Sequence, residues 1–183
     1  MRKNPAVYSI RVKRIMRGSR TVAAVTVGIA LMGAIPLAAQ GCLPVIDAMN
    51  KLYTTPTHLY TTMDGGHKNE VIYAGEVVYD NLLGKWARSQ VTLERVKELE
   101  ENNRRNSKYT CRYLRDESVD GEAAAVYGTH AERTDLDIRS DGQFWISKTK
   151  GLPLRHEEDI DAGAGTKNHH STRYEYANVR PPV

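Results

Sequence analysis

The sequence is poor in cysteine and phenylalanine, and it contains no familiar catalytic motif. It has 183 residues with two Cys and one Phe. No G-x-S-x-G elbow occurs, which leaves no sequence signal for a serine hydrolase. The six histidines have no Cys or carboxylate at ligand spacing, and adjacent His169 and His170 would point to opposite faces of a strand. We therefore predict a protein that is not an enzyme and that holds no metal or cofactor. A metal-dependent hydrolase is the alternative that bound metal would reveal.

Charge is absent from residues 21–39, directly after a basic segment. Small residues, Pro36 to Ala39, close the uncharged stretch, as at a signal-peptidase site. We predict a signal peptide at residues 1–39, a single domain at residues 40–183, and export to the periplasm. An uncleaved membrane anchor is the alternative, because the stretch is long enough to cross a bilayer and the basic flank would hold its N-terminus inside.

The rest of the chain lacks a basic surplus. Seven of the 26 basic residues lie in the first twenty, which leaves 19 against 22 acidic ones in residues 40–183. The basic isoelectric point therefore belongs to the leader, and nucleic-acid binding, which needs a clustered basic face, is not expected.

The two cysteines, Cys42 and Cys111, both follow the predicted cleavage site. In an oxidising compartment an even pair favours a disulfide. The alternative is a lipid anchor on Cys42, because the preceding Ala39, Gln40 and Gly41 loosely resemble a lipobox. Membrane association is expected only through this anchor or the leader.

Hydrophobic periodicity predicts a mainly antiparallel chain. Residues 44–55 and 92–106 have helical spacing, and Thr92 is a candidate N-cap. Residues 71–79 alternate as one strand with Tyr73 and Tyr79 on the same face, and Asp141 and Gly142 predict a tight turn. An acidic run at residues 157–161 is typical of a charged strand edge. The predicted fold class is α+β, a curved antiparallel sheet of about eight strands forming an incomplete barrel, with two helices on one side.

Most aromatic residues fall on predicted strands, and ten of them are Tyr. Such residues suit either a core with cross-strand ladders or a concave pocket with polar tips for an amphiphile. On the second interpretation the candidate ligand-binding residues are Tyr73, Tyr79, Trp86, Tyr127 and Trp145.

A block near the C-terminus carries a family resemblance. It consists of Trp145, Ile146, Gly151, Leu152, Pro153, Leu154 and Arg155, with Tyr176, Asn178 and Val179 in the last predicted strand. This pattern resembles the superfamily of periplasmic lipoprotein carriers and lipoprotein-localisation-like envelope proteins. Residues 54–60 resemble small exported bacterial proteins of unassigned function associated with the same fold. The resemblance implies an apolar concave face, covered by helices, that holds acyl chains.

The resulting expectation is an exported envelope protein that binds a lipid or an acylated protein partner without catalysis. The alternative is a protein-interaction or scaffolding domain of the envelope whose core is filled by its own side chains.

Overall fold

The computed structural model describes residues 37–82, 84–163 and 165–182. Most of the predicted leader, residues 1–36, lies outside the described residues, so leader and cleavage site stay predictions. Among the described residues, no helix has both the length and the apolar character that a bilayer span requires.

In the part of the chain that the structure describes, nine antiparallel strands form one curved, unclosed sheet, which confirms the predicted fold class. The strands are β1 Thr57–Met63, β2 Lys68–Ala74, β3 Val77–Leu82, β4 Lys85–Arg88, β5 Lys108–Val119, β6 Glu122–Arg133, β7 Ile138–Ser147, β8 Pro153–Asp161 and β9 Lys167–Glu175. Their order across the sheet is β4-β3-β2-β1-β9-β8-β7-β6-β5. All neighbours pair antiparallel, so most connections are short hairpins, while β9 returns to pair with β1.

Two helices lie on one face of the sheet, here called the inner face. They are α1, Leu37–Leu52, and α2, Leu93–Arg105. The α1 start differs from the prediction, because the helix continues through Pro44. The lost hydrogen bond is outweighed by burial of Val45, Ala48 and Leu52, each at most 2% exposed. The start of α2 is as predicted, since Thr92 Oγ1 accepts a hydrogen bond from the backbone N–H of Arg95 at 3.3 Å.

The sequence prediction of one strand over residues 71–79 was wrong. The chain turns at Gly75, which has φ +64, and β2 and β3 form a hairpin in which Tyr73 pairs with Val78 and Ile72 with Tyr79. Tyr73 and Tyr79 therefore lie on opposite faces of the sheet. Few polar turn residues occur at this point in the sequence. The prediction therefore relied on apolar alternation, which continues across both strands.

The predicted turn at Asp141 and Gly142 was also wrong. Both residues lie inside β7, which pairs without interruption there with β6 and β8. Gly142 allows the backbones of β7 and β8 to approach closely and does not form a turn. A Cβ on this residue would lie 2.7 Å from the Glu157 carbonyl oxygen. The hairpin bends earlier, where Asp137 has φ 51.

Three clusters of buried apolar residues stabilise the domain. On the inner face, one joins the end of α1 and the start of α2 to β2, β3 and β9, and a second packs α1 on β7. The third lies around Trp145 and Val126, which have the opposite orientation to Phe144 and belong to the outer face. The acidic run lies on β8, an interior strand, so it does not protect a sheet edge.

The predicted disulfide between Cys42 and Cys111 is confirmed, with a Cα–Cα distance of 4.9 Å. It connects α1 to β5. The helix can approach this strand closely because residue 41 is Gly, where a Cβ would lie 2.7 Å from the Cys111 carbonyl oxygen. In this structure the Cys42 sulfur is bonded to Cys111 and has no free valence for a lipid.

Candidate functional site

A cleft of about 900 Å³ lies between the two helices and the inner face. Its mouth is crossed by α2, which begins beside the turn between β2 and β3, where the Leu93 N–H donates to the Glu76 carbonyl at 3.5 Å. The same helix ends just before β5, at the far edge of the sheet. Thirteen helical residues span about 20 Å, whereas β3 and β5 would be about 33 Å apart in a flat sheet. The curvature of the sheet is what lets α2 cross the mouth.

The walls of the cleft are apolar and aromatic. The sheet contributes Leu59, Tyr73, Tyr109, Phe144 and Tyr174. Val45 and Met49 come from α1, and Tyr53 follows directly after its end. The Tyr53 and Tyr73 rings lie 6.3 Å apart between centroids, in a tilted arrangement. These groups suit an apolar ligand that carries some polar atoms.

The tyrosine hydroxyls of the cleft are neutral at physiological pH. Burial raises the pKa of Tyr73 and of Tyr109 to about 12. Burial also raises the pKa of Tyr53 and, most strongly, that of Tyr174. Within the part of the chain that the structure describes, none of these four side chains has a side-chain hydrogen bond to the protein, so their hydroxyls are available to a ligand.

A carboxylate pair faces the cleft from opposite walls, Glu100 on α2 and Glu158 on β8. Glu100 keeps solvent contact through the open cleft, yet the surrounding protein desolvates it and raises the pKa of its carboxyl. Repulsion by Glu158 raises this pKa further, and the nearby Arg104 guanidinium opposes the shift. Negative charge is therefore concentrated beside the tyrosine rings.

His156 is a neutral group on the floor of the cleft. Its ring stacks on Phe144 with centroids 3.8 Å apart. Burial lowers the pKa of His156 to about 4, and the charge of His170 acts in the same direction. At neutral pH the imidazole therefore contributes a flat surface and hydrogen-bonding nitrogens without charge.

The structure brings only part of the predicted site together. Tyr73 lines the cleft. Tyr127 also has the inner orientation, where it pairs across strands with Phe144 and packs beside α1. By alternation, Tyr79, Trp86 and Trp145 lie on the outer face, away from the cleft. A binding role for these five residues stays a prediction, but they do not form one pocket.

On the outer face, Trp145 packs under the Arg155 guanidinium, which is 5.0 Å from the ring centroid. Its buried indole N–H has no hydrogen-bond partner of normal geometry among the described residues. The Glu117 carboxylate is still near enough for the indole, together with Arg115, to lower its pKa. Trp145 therefore belongs to the framework of the sheet.

Trp86 lies beside a hydrogen-bonded chain of outer-face residues. Its ring is 5.6 Å from that of His58. The His58 Nε2 is 3.0 Å from Glu70 and its Nδ1 is 2.9 Å from the Tyr60 hydroxyl, which donates to Glu175 at 3.1 Å. These contacts join β1, β2 and β9 and are structural.

Sequence reasoning missed the polar groups of the cleft, Glu100, Glu158 and His156. The inward position of Glu100 could have been predicted from the sequence. In a helix with 3.6 residues per turn, Leu93, Val96, Glu100 and Arg104 lie on one face. Leu99, which has apolar helical spacing with Leu93 and Val96 in the sequence, is nevertheless 43% exposed. No group of three or more His, Cys, Asp or Glu with metal-binding geometry occurs in residues 37–82, 84–163 and 165–182.

Comparison with known proteins gives little further information. No family model and no curated protein matches the chain. Among solved structures, a crystal structure of a DUF1329 family protein from Desulfovibrio piger is similar at 11% identity, covering 80% of this chain and 93% of that one. Its TM-score is 0.32, too low to support an argument from it.

Proposed function

We propose that this chain is an exported protein of the cell envelope that binds a lipid or an acylated partner in the cleft and performs no chemistry on it. The observation that carries the proposal is the unfilled cleft of about 900 Å³ on the inner face. A scaffolding domain would be expected to fill this space with its own side chains, since interiors pack densely.

Two further features support an exported, ligand-binding protein. The basic and then uncharged N-terminus is typical of a secretory leader, and the Cys42–Cys111 disulfide is typical of an oxidising compartment such as the periplasm. The cleft combines apolar walls with a few polar groups, as small-molecule sites commonly do.

The test is recovery and rebinding of an amphiphile. The protein is produced with its own leader and purified under mild conditions in the form that results from processing in the cell. Its mass is then measured by native mass spectrometry. We expect a bound mass that is lost on delipidation, and uptake of a fluorescent fatty acid by the delipidated protein. Absence of both bound lipid and uptake would refute the proposal, and a stoichiometric protein partner in their place would favour the scaffolding alternative.

A matched pair of variants tests whether the ligand binds in the cleft. Ala131 on β6 lines the cleft, whereas Ala123 on the same strand is exposed and outside it. Ala131→Trp should fill part of the space and weaken uptake by about tenfold or more, which corresponds to about 1.4 kcal/mol. Ala123→Trp should bind as the unaltered protein does. Equal binding by both variants would place the ligand elsewhere.

A further inference from the structure

The charges of α2 that face the cleft are mostly neutralised by partners. Glu94 lies 3.7 Å from Lys97, Glu98 lies 2.9 Å from Arg95, and Glu101 pairs with Arg105. From β6, Arg133 is held 2.6 Å from Asp135. These pairs leave little net charge at the rim.

Three charged groups of the cleft remain outside such pairs among the described residues. They are Glu100, Glu158 and Arg104, and no ion pair within 4.0 Å involves them. His156, the remaining titratable group of the floor, is neutral at physiological pH. The inner part of the cleft therefore carries a net negative charge, with two carboxylates against one guanidinium.

The carboxylates stand among aromatic rings. Tyr53, Tyr73, Tyr109 and Tyr174 line the same cleft as Glu100. The charge of Glu100 contributes to the raised pKa of all four. The face of an aromatic ring is negative, so it attracts a cation and gives an anion no equivalent contact. Tyrosine rings together with unpaired carboxylates are a suitable environment for an alkylated ammonium group.

We propose that the cleft selects amphiphiles with a cationic head group, a quaternary ammonium above all, which lies between Glu100, Glu158 and the tyrosine rings while the acyl chain follows the apolar wall. This inference rests on the proposed function, because it names the head group of the ligand that the cleft would bind. Charge complementarity favours the cation over a carboxylate or phosphate, because among the described lining residues Arg104 is the one cationic side chain without an ion-pair partner.

The experiment compares three probes of equal chain length by calorimetry below their micellar concentrations. They are dodecyltrimethylammonium, its near-isostere dodecyldimethylamine N-oxide, which is soluble and has no net charge at neutral pH, and dodecanoate. We expect the cation to bind about tenfold or more tightly than the isostere, the size expected for a desolvated cation among aromatic rings. Dodecanoate should bind more weakly still.

Charge-neutral variants test the assigned carboxylates. Glu100→Gln and Glu158→Gln should each reduce the preference for the cation over the isostere several-fold, while binding of the isostere changes little. Glu101→Gln is the matched control, because Glu101 lies on the same helix and lines the cleft but is already paired with Arg105. Glu100→Gln removes a desolvated, repelled charge, so this variant should fold at least as stably, as thermal melting would show.

The outcomes separate the inference from the proposed function. Equal binding of all three probes, or preference for dodecanoate, would overturn the head-group assignment and leave a lipid-binding cleft. No binding of any probe would overturn both. Loss of the preference in Glu101→Gln to the same degree as in Glu100→Gln would also overturn it, because general surface charge would then be responsible.

Discussion

Removal of the disulfide is the perturbation with the largest effect that the structure allows us to calculate. Cys42 and Cys111 are separated by 69 residues along the chain, so the bond closes a long loop in the unfolded state. The loop-entropy relation for a closure of this length gives about 4 kcal/mol. A domain of this size has a total free energy of unfolding of about 5 to 15 kcal/mol, so the loss is a large share of it.

The assay is urea unfolding of the Cys42→Ala/Cys111→Ala double variant beside the unaltered protein, followed by fluorescence of the two tryptophans. Alanine is chosen because Cys42 is only 2% exposed, and a serine would bury a hydroxyl. We expect the midpoint to fall by the equivalent of about 4 kcal/mol. The reductant control should destabilise the unaltered protein similarly and leave the variant unchanged.

Hydrogen exchange should show which part of the structure is destabilised in the double variant. The disulfide holds α1 on β5, so the amides of α1 should lose protection first in the double variant. A loss of less than about 1 kcal/mol, with α1 still protected, would refute the reasoning, because packing of Val45, Ala48 and Leu52 would then hold the helix without the bond.

Two further predictions concern the paired strands β7 and β8. The pKa of His156 falls from 6.5 in its ordinary state to about 4 in the fold, so the unfolded chain binds more protons between these values and stability falls as pH falls from 6.5 to 4. The loss should be about 3 kcal/mol and absent in His156→Gln, as melts across this pH range would show; parallel profiles would contradict it. Gly142→Ala places a Cβ against the backbone oxygen of Glu157 and should cost about 1 to 3 kcal/mol in urea unfolding. Gly128→Ala is its control, since there the nearest atoms belong to a movable leucine side chain, and an equal cost for both would be contrary to expectation.

The fold class was predictable because most of its local signals agree with the final structure. Thr92 caps α2 as its position suggests, and the alternation over β5 to β9 survives in the sheet. The errors at Gly75 and Gly142 both concern glycine, which occurs at turns and also where two backbones approach closely, and a single sequence does not separate these roles. Only the packing of β7 against β8 shows that Gly142 belongs to the second kind.

The site was less predictable than the fold, since a cleft depends on which face of each strand is turned inward. Because the turn at Gly75 was not predicted, Tyr79 was assigned to the same face as Tyr73, whereas the two lie on opposite faces of the sheet. A charged residue such as Glu100 in a strongly charged helix is typical of a solvated face. Its spacing from Leu93 and Val96 nevertheless places it on the side of α2 that lines the cleft. His156 lies far in sequence from the cleft residues of α1 and α2. Its stacking on Phe144 follows from the register of β7 and β8, in which these two residues are paired.

The position of α2 has a consequence for the size of ligand that the domain can admit. A helix has a fixed rise per residue, so the distance that α2 can cross is set by the number of residues between β4 and β5. Each added helical turn would lengthen this crossing by about 5.4 Å. On the proposed function, selectivity for ligand size would be set by the length of this one short segment, which can change without altering the strands or the core.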